Sequence, residues 1–334
     1  MKSRTTILFI LFTAAVAVLF VADIAVGSVS IPIRDVWAAL TGGECDPTTA
    51  RIIRDIRLMK AVVALVAGAA LAVSGLQMQT LFRNPLAGPY VLGVSSGASL
   101  GVALFILGAP MLGLTGHAWL SSLGVAGAAW IGAAATLALV AAISTRIKDI
   151  MVILILGIMI SSGVSAIVQI LQYLSAEEAL KSFVVWTMGS LGDVTATQLA
   201  LLLPAVAAGA ALGVAAIKSL NMLLLGENYA RSMGLDLRRS RSIILLSTTL
   251  LAGTVTAFCG PIGFIGLAMP HVARVIFRNA DHRTLMPAAA LTGAASLLLC
   301  DMVAKLLALP VNSITALLGI PVVVWVVVRN RNIV

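Results

Sequence analysis

The stretch IMVILILGIMISSGVSAIVQILQYL, Ile150 to Leu174, contains no Asp, Glu, Lys or Arg. As an α-helix a run of this length reaches about 37 Å at roughly 1.5 Å per residue, more than a hydrocarbon core of about 30 Å. It lacks the strict alternation of a barrel strand, so it reads as a membrane-spanning helix. The whole chain has the same character: 60% of its 334 residues are apolar, 10% are charged, and the mean hydropathy is +1.08. Water-soluble domains carry about a quarter charged residues. The sequence is therefore that of an all-α, polytopic membrane protein.

Working outward, the apolar runs predict ten spans. They are 5–26, 59–81, 90–107, 120–144, 150–174, 198–217, 243–258, 262–276, 285–306 and 314–328. The N-terminal run imitates a secretory signal, with a basic start and small residues after it. Its apolar stretch is too long for one, so it is expected to remain as the first span. An even number of spans puts both termini on one side. With that side cytoplasmic, fifteen of the 22 Lys and Arg fall inside, as the positive-inside rule requires. The exceptions are Arg34, Arg51, Arg54, Arg57, Lys60, Lys181 and Lys305. The cations sit in short loops beside apolar segments, so the net charge of +9 sets topology and implies no nucleic acid.

Five of those exceptions belong to the first outer loop, about residues 27–58, and the start of the next span. Four are in RIIRDIRLMK, Arg51 to Lys60, where the single acid, Asp55, can hold Arg51 or Arg54. Earlier in the loop Ile33, Val36, Trp37 and Leu40 have amphipathic spacing, which suits the membrane interface. The longest and most basic inner loop is Ser219 to Arg241, in which Gly226 and Gly234 flank a short polar helix. Gly93, Gly97 and Gly101 share one helical face, which lets helix backbones approach closely.

What is missing matters as much. No G-x-x-x-x-G-K-[ST] occurs, so the chain has no P-loop and is not expected to hydrolyse ATP. Cys45, Cys259 and Cys300 form neither a disulfide framework nor a zinc pattern, and His117, His271 and His282 are isolated. No enzyme site, cofactor or metal is predicted. Only Asp23 and Asp301 are acids within spans, and Asp301 precedes Lys305 by one turn, the spacing of a local ion pair. An ion-driven carrier is expected to hold more such groups. Uncharged polar residues are commoner: Ser74, Gln77 and Gln79 in the second span, and Ser161, Ser162, Ser165, Gln169 and Gln172 in the fifth. They suit a wet path or interhelical hydrogen bonds equally.

VAGAALAVSGLQMQTLFRNPLAGPYVLGVSSGASLG (Val66 to Gly101), GPIGFIGLAMPHVAR (Gly260 to Arg274) and DHRTLMP (Asp281 to Pro287) resemble the permease subunits of iron-siderophore, haem and cobalamin ABC importers. The likeness runs from about Ser28 to the C-terminus. It implies a type II ABC importer permease: one transmembrane domain over 1–334, a second permease copy as homodimer partner, and two cytoplasmic ATPase subunits that bind the ATP. It further implies an extracytoplasmic substrate-binding protein and a metal-chelate cargo in a bacterial inner membrane.

The resemblance also distributes roles. Coupling helices between spans six and seven dock into the ATPase, which points to Glu227, Ala230, Arg231 and Gly234 as exposed contacts. RNPLAGP resembles the cytoplasmic gate region and puts Asn84 and Leu86 near the constriction. Pro85 and Pro89 independently disfavour a continuous helix there. The segment from Lys148 to Met151 is a weaker gate candidate. Outer cations that pair with carboxylates of the binding protein fall on Arg57, Lys60 and Lys305. Met59 and Lys60 depart from the family's Arg-Leu-Pro-Arg, and Ala308 and Asn312 replace a common glutamate and glycine. A lysine offers a point charge where arginine offers a fork, so docking through Lys60 and Lys305 is expected to be less geometrically specific. The cargo order is ferric siderophore, then cobalamin, then haem. The rivals are a stand-alone secondary carrier and a channel-like helical protein.

Overall fold

A computed structural model describes residues 2–27, 31–108, 122–144, 147 and 149–330. His117, Arg146, Lys148 and Arg331 lie outside those residues. Every regular element among the described residues is helical. We number them α1 Lys2–Ala25, α2 Ile33–Thr41, α3 Pro47–Leu81, α4 Val94–Gly108, α5 Ser122–Ser144, α6 Ile150–Leu174 and α7 Glu177–Thr187. There follow α8 Ala196–Ala215, α9 Ile217–Leu224, α10 Glu227–Ser232, α11 Leu237–Cys259, α12 Ile265–Phe277, α13 His282–Leu307 and α14 Val311–Asn330. Six are long and apolar enough to cross a membrane, and four shorter apolar helices complete the expected ten.

Two features depart from the span reading. The segment Pro47–Arg57, expected in a loop, is helical and continuous with the second span. Asp46 caps it by accepting from the Thr49 amide, a bond that holds this exposed carboxyl below its ordinary value. Within it Ile52–Arg57 forms π-helical turns, which take in an extra residue per turn and reset the phase of the side chains beyond. The second feature is α7, a helix that follows the fifth span after two residues. Charge and hydropathy carried no sign of it.

The chain divides into two compact units, each assembled from separate stretches. One comprises Met1–Val73, Ser190–Ala200 and Ile262–Val334. In it α1 and α12 pack on α13, and α14 packs on α12 and α13. Gly68 of α3 and Gly293 of α13 meet backbone to backbone: a Cβ on Gly68 would lie 2.8 Å from the Gly293 carbonyl carbon. Ile24, Val36, Ala39, Ile53 and Ala61 seal the end of α1 against α2 and the start of α3.

The other unit comprises Ser74–Gly189 and Leu201–Pro261. Its centre is the crossing of α4 with α5, which buries Val94, Ala98, Val102, Ala129 and Ala133. Gly97 and Gly101 face the backbone of α5; a Cβ on Gly97 would come within 2.5 Å of the Gly132 carbonyl oxygen. Gly93 is also at a close approach: a Cβ there would lie 3.0 Å from Thr136 Cγ2 of α5 and 2.9 Å from Ser161 Oγ of α6. It precedes α4 with φ 78°, a left-handed conformation that glycine adopts without steric cost.

Candidate functional site

The outer cations are turned inward. Arg57 is 6% exposed, and its Nη1 donates to the carbonyls of Ala25 at 2.7 Å and Ile24 at 3.2 Å, the last turn of α1. Helix C-termini leave carbonyls without partners, so a guanidinium there satisfies them and complements the helix dipole. Gly27 gives it room: a Cβ at that position would fall 2.6 Å from Nη2. Arg54, a candidate partner of Asp55, instead donates its Nε to the Ala39 carbonyl at 2.5 Å.

Lys60 and Lys305 enter a buried quartet with Asp23 and Asp301. Lys305 Nζ lies 2.7 Å from Asp301 Oδ2 and 2.9 Å from Asp23 Oδ1, and Lys60 Nζ lies 3.1 Å from Asp301 Oδ1. The expected one-turn pair thus forms, and Asp23 on α1 and Lys60 on α3 join it. Two positive and two negative charges balance, which is what allows them to leave water together. Arg57, Lys60 and Lys305 are the docking candidates of the sequence reading. All three are bonded within the chain, because buried carbonyls and carboxylates there need cations, and Lys60, whose side chain is 23% exposed, keeps an open edge.

The proline-bearing turn after α3 is tightly folded. Arg83 has φ 48°, the Asn84 amide donates to the Gln79 carbonyl, and Asn84 Oδ1 accepts from the Leu86 amide at 2.8 Å. Asn84 therefore spends its side chain on building the turn, whereas Leu86 stands 47% exposed. A Cβ on Gly226, the residue that opens α10, would lie 3.5 Å from Arg83 Nη1. Arg83, at the start of the gate candidate's turn, thus neighbours the coupling loop within one unit.

That loop is itself folded. Arg241 Nη2 pairs with Glu227 Oε1, Ser240 bonds Ser219, and Asp236 caps α11. Arg231 and Gly234 are exposed, but Ala230, expected at the surface, is fully buried, since α10 rests on that face. Leu225, Tyr229 and Met233 are exposed beside them, at 62%, 51% and 55%. An apolar trio on a basic loop was the signal sequence reading passed over.

The polar span residues separate into the two roles left open. Gln77 is buried and bonds outward from α3: its Nε2 donates to Ser247 Oγ and its Oε1 accepts from Thr248, both at 2.9 Å. Ser247 passes on to the Gly209 carbonyl at 2.7 Å, so this set is interhelical. Ser161, Ser162, Ser165 and Gln169 of α6 instead line an open cleft of about 490 Å³, with Tyr90, Val91, Ser95 and Ser96 across from them. His271 and His282 are buried. Asn312 Oδ1 accepts from the Gly263 amide at 2.9 Å, and Ala308 closes α13 with φ 52°. Among the described residues no cluster of His, Cys, Asp and Glu could hold a metal ion.

Comparison with known proteins adds the context for these surfaces. Residues 15–329 match the model of the FecCD transport family. The chain is 37% identical over 314 residues to a hemin transport system permease protein of Yersinia pestis, covering 91% of this chain and 90% of that protein. It is 33% identical over 325 residues to a molybdate import system permease protein of Haemophilus influenzae, 93% of each. A vitamin B12 import system permease protein of Shigella boydii is 35% identical over 299 residues, 88% of this chain and 89% of that one. A solved structure described as an inward-facing, metal-chelate type ABC transporter superposes with a TM-score of 0.83 and 31% identity, covering 97% of this chain and 99% of that chain.

Proposed function

The chain belongs to the FecCD transport family and is a multi-pass ABC importer permease; from that premise we propose that its cargo is an iron chelate, a ferric siderophore before cobalamin or haem. It works in a bacterial inner membrane by alternating access, as a pair of permeases with two separate ATPases and an extracytoplasmic binding protein. The observation that carries the cargo class is the end-to-end likeness to a metal-chelate transporter.

Because the chain has no P-loop, ATP closure must reach it through a surface. The exposed residues Tyr229, Arg231, Met233 and Gly234 of the folded loop supply that docking face, and the Glu227–Arg241 pair stiffens it. From there Arg83 leads to the Asn84–Leu86 turn, a short route by which movement of the loop reaches a closure. On the outer side Lys60 is the cation a binding protein can reach, with Lys305 behind it and Arg57 acting as a clasp on α1.

The test is uptake in proteoliposomes containing this permease with its cognate ATPase and binding protein. We expect uptake of the chelate that the purified binding protein retains, dependent on ATP. Transport that persists without ATP and follows a proton gradient would make the chain a secondary carrier.

A further inference from the structure

We propose that α2 is a phospholipid site at the outer membrane boundary, where Ile33, Trp37 and Leu40 lie against acyl chains and Arg34 holds the phosphate of a glycerophospholipid.

The depth of α2 follows from what its inner face touches. Val36 and Ala39 are buried with Ile24, in the last turn of α1, and with Ile53 and Ala61 of α3. Ile24 and Ala61 stand at the outer ends of two apolar spans, so α2 lies where hydrocarbon gives way to head groups. Arg54 holds it at that level, since its Nε donates to the Ala39 carbonyl in the last turn of α2, which has no partner within the helix.

The outer face of α2 is amphipathic in its own right. At about 100° per residue, Ile33, Trp37 and Leu40 fall within about 60° of one another and form a stripe beside the buried pair. Ile33 and Trp37 are 74% and 67% exposed. Continuing around the helix, Arg34 comes about 60° past Trp37, whereas Asp35 comes about 160° past it, away from the stripe. The free edge of the stripe is therefore marked by a cation. The neighbouring span has lipid as its solvent as well: Ile10, Leu11, Val18 and Val21 of α1 are 48–68% exposed and run up to one turn short of Ile24.

Charge identifies the occupant. Arg57, Lys60 and Lys305 are met by carbonyls and carboxylates of the chain itself. Arg34 is exposed and, among the described residues, forms no ion pair. Asp35, Glu44, Asp46 and Asp55 offset the cations of this loop, so no general field gathers anions there and the attraction is local to Arg34. A guanidinium beside an apolar stripe at head-group depth meets a phosphate diester, whose oxygens match its fork. Trp37 suits the same level, with an apolar ring and one polar N–H.

Two measurements on the full-length permease test the site. A nitroxide is placed on Trp37→Cys in a Cys45→Ser background, since Cys259 and Cys300 are buried, in vesicles of palmitoyl-oleoyl-phosphatidylethanolamine and palmitoyl-oleoyl-phosphatidylglycerol. Power saturation is expected to find the label open to oxygen, shielded from a water-soluble nickel chelate, and unaffected by the cognate binding protein. Ile33→Cys repeats the measurement should the first variant misfold. A label open to the chelate, closed to both reagents by a second copy, or covered on adding the binding protein overturns the proposal. Native mass spectrometry from detergent reads the phosphate contact. The parent is expected to retain palmitoyl-oleoyl-phosphatidylglycerol about fivefold more tightly than Arg34→Gln, the effect of one basic residue at a membrane surface. Arg34→Lys, which keeps the charge, should recover most of that difference, and dioleoylglycerol, which lacks phosphate, should show none. Equal retention by the parent and Arg34→Gln, or capture of inorganic phosphate alone, overturns the assignment.

Discussion

Replacing Asp301 by asparagine keeps the shape of the side chain and removes the charge that holds two lysines. Its side chain is 1% exposed, with Lys305 Nζ at 2.7 Å and Lys60 Nζ at 3.1 Å. Removing one partner of a buried ion pair costs about 3–5 kcal/mol, because the other charge stays buried without compensation. Here Lys305 keeps Asp23 at 2.9 Å, and Lys60, 23% exposed in its side chain, can turn partly to water. The expected loss is therefore at the lower end, about 3 kcal/mol, or roughly a hundredfold in the folding equilibrium at about 1.4 kcal/mol per decade. Reversible denaturant titration in detergent micelles, followed by tryptophan fluorescence, measures it. Lys60→Met in the same assay leaves two buried carboxylates to share Lys305 and should cost about 1.5–3 kcal/mol, less than Asp301→Asn because the Lys60 arm is partly solvated. The coupling of Asp301→Asn with Lys305→Met should exceed its coupling with Lys60→Met. A parent-like Asp301→Asn, within about 0.5 kcal/mol, would show that the quartet holds nothing together.

Gly97→Ala should force α4 and α5 apart and cost about 1–3 kcal/mol by overpacking, whereas Gly127→Ala, with open space at its Cβ, should be neutral; thermal unfolding monitored by size-exclusion chromatography distinguishes them. Thr248→Val should leave the buried Gln77 carbonyl without its donor and lower stability by about 1–3 kcal/mol in the same titration. A Glu227→Gln variant should keep the fold and reduce ATP-driven uptake, with Arg241→Gln behaving alike and the double variant no worse than either. The Asp46 cap contributes stability above the carboxyl's unfolded value and loses it as pH falls through the lower folded one. Amide exchange at Thr49 should therefore rise with acidification beyond its intrinsic trend in the parent, and already be raised at neutral pH in Asp46→Ala.

The glycine motif illustrates where legibility ended. Its spacing announced a close helix contact, and Gly97 and Gly101 do lie against another backbone, but the partner residues Ala128 and Gly132 sit in a span with no distinguishing pattern of its own. Gly93 belongs to the same spacing and also lies against α5 and α6, but it adds a left-handed turn that periodicity could not announce, since periodicity cannot say where the helix begins. Ala230 was misread because a six-residue helix has too little amphipathic pattern to show which face is covered.

Sequence by itself determined the class of molecule, its ten apolar helices and its family, because burial in lipid demands length and hydropathy that show residue by residue, and because long motifs repeat in order. It also named the charges that violate the membrane rule. Tertiary structure alone decided their use: Arg57 on carbonyls 32 and 33 residues earlier, and Lys305 on an aspartate 282 positions before it. It decided likewise which serines and glutamines tie helices together and which face a cleft. A side chain's partner is set by how helices cross, and pairs that distant in the chain leave no local trace in its order of residues.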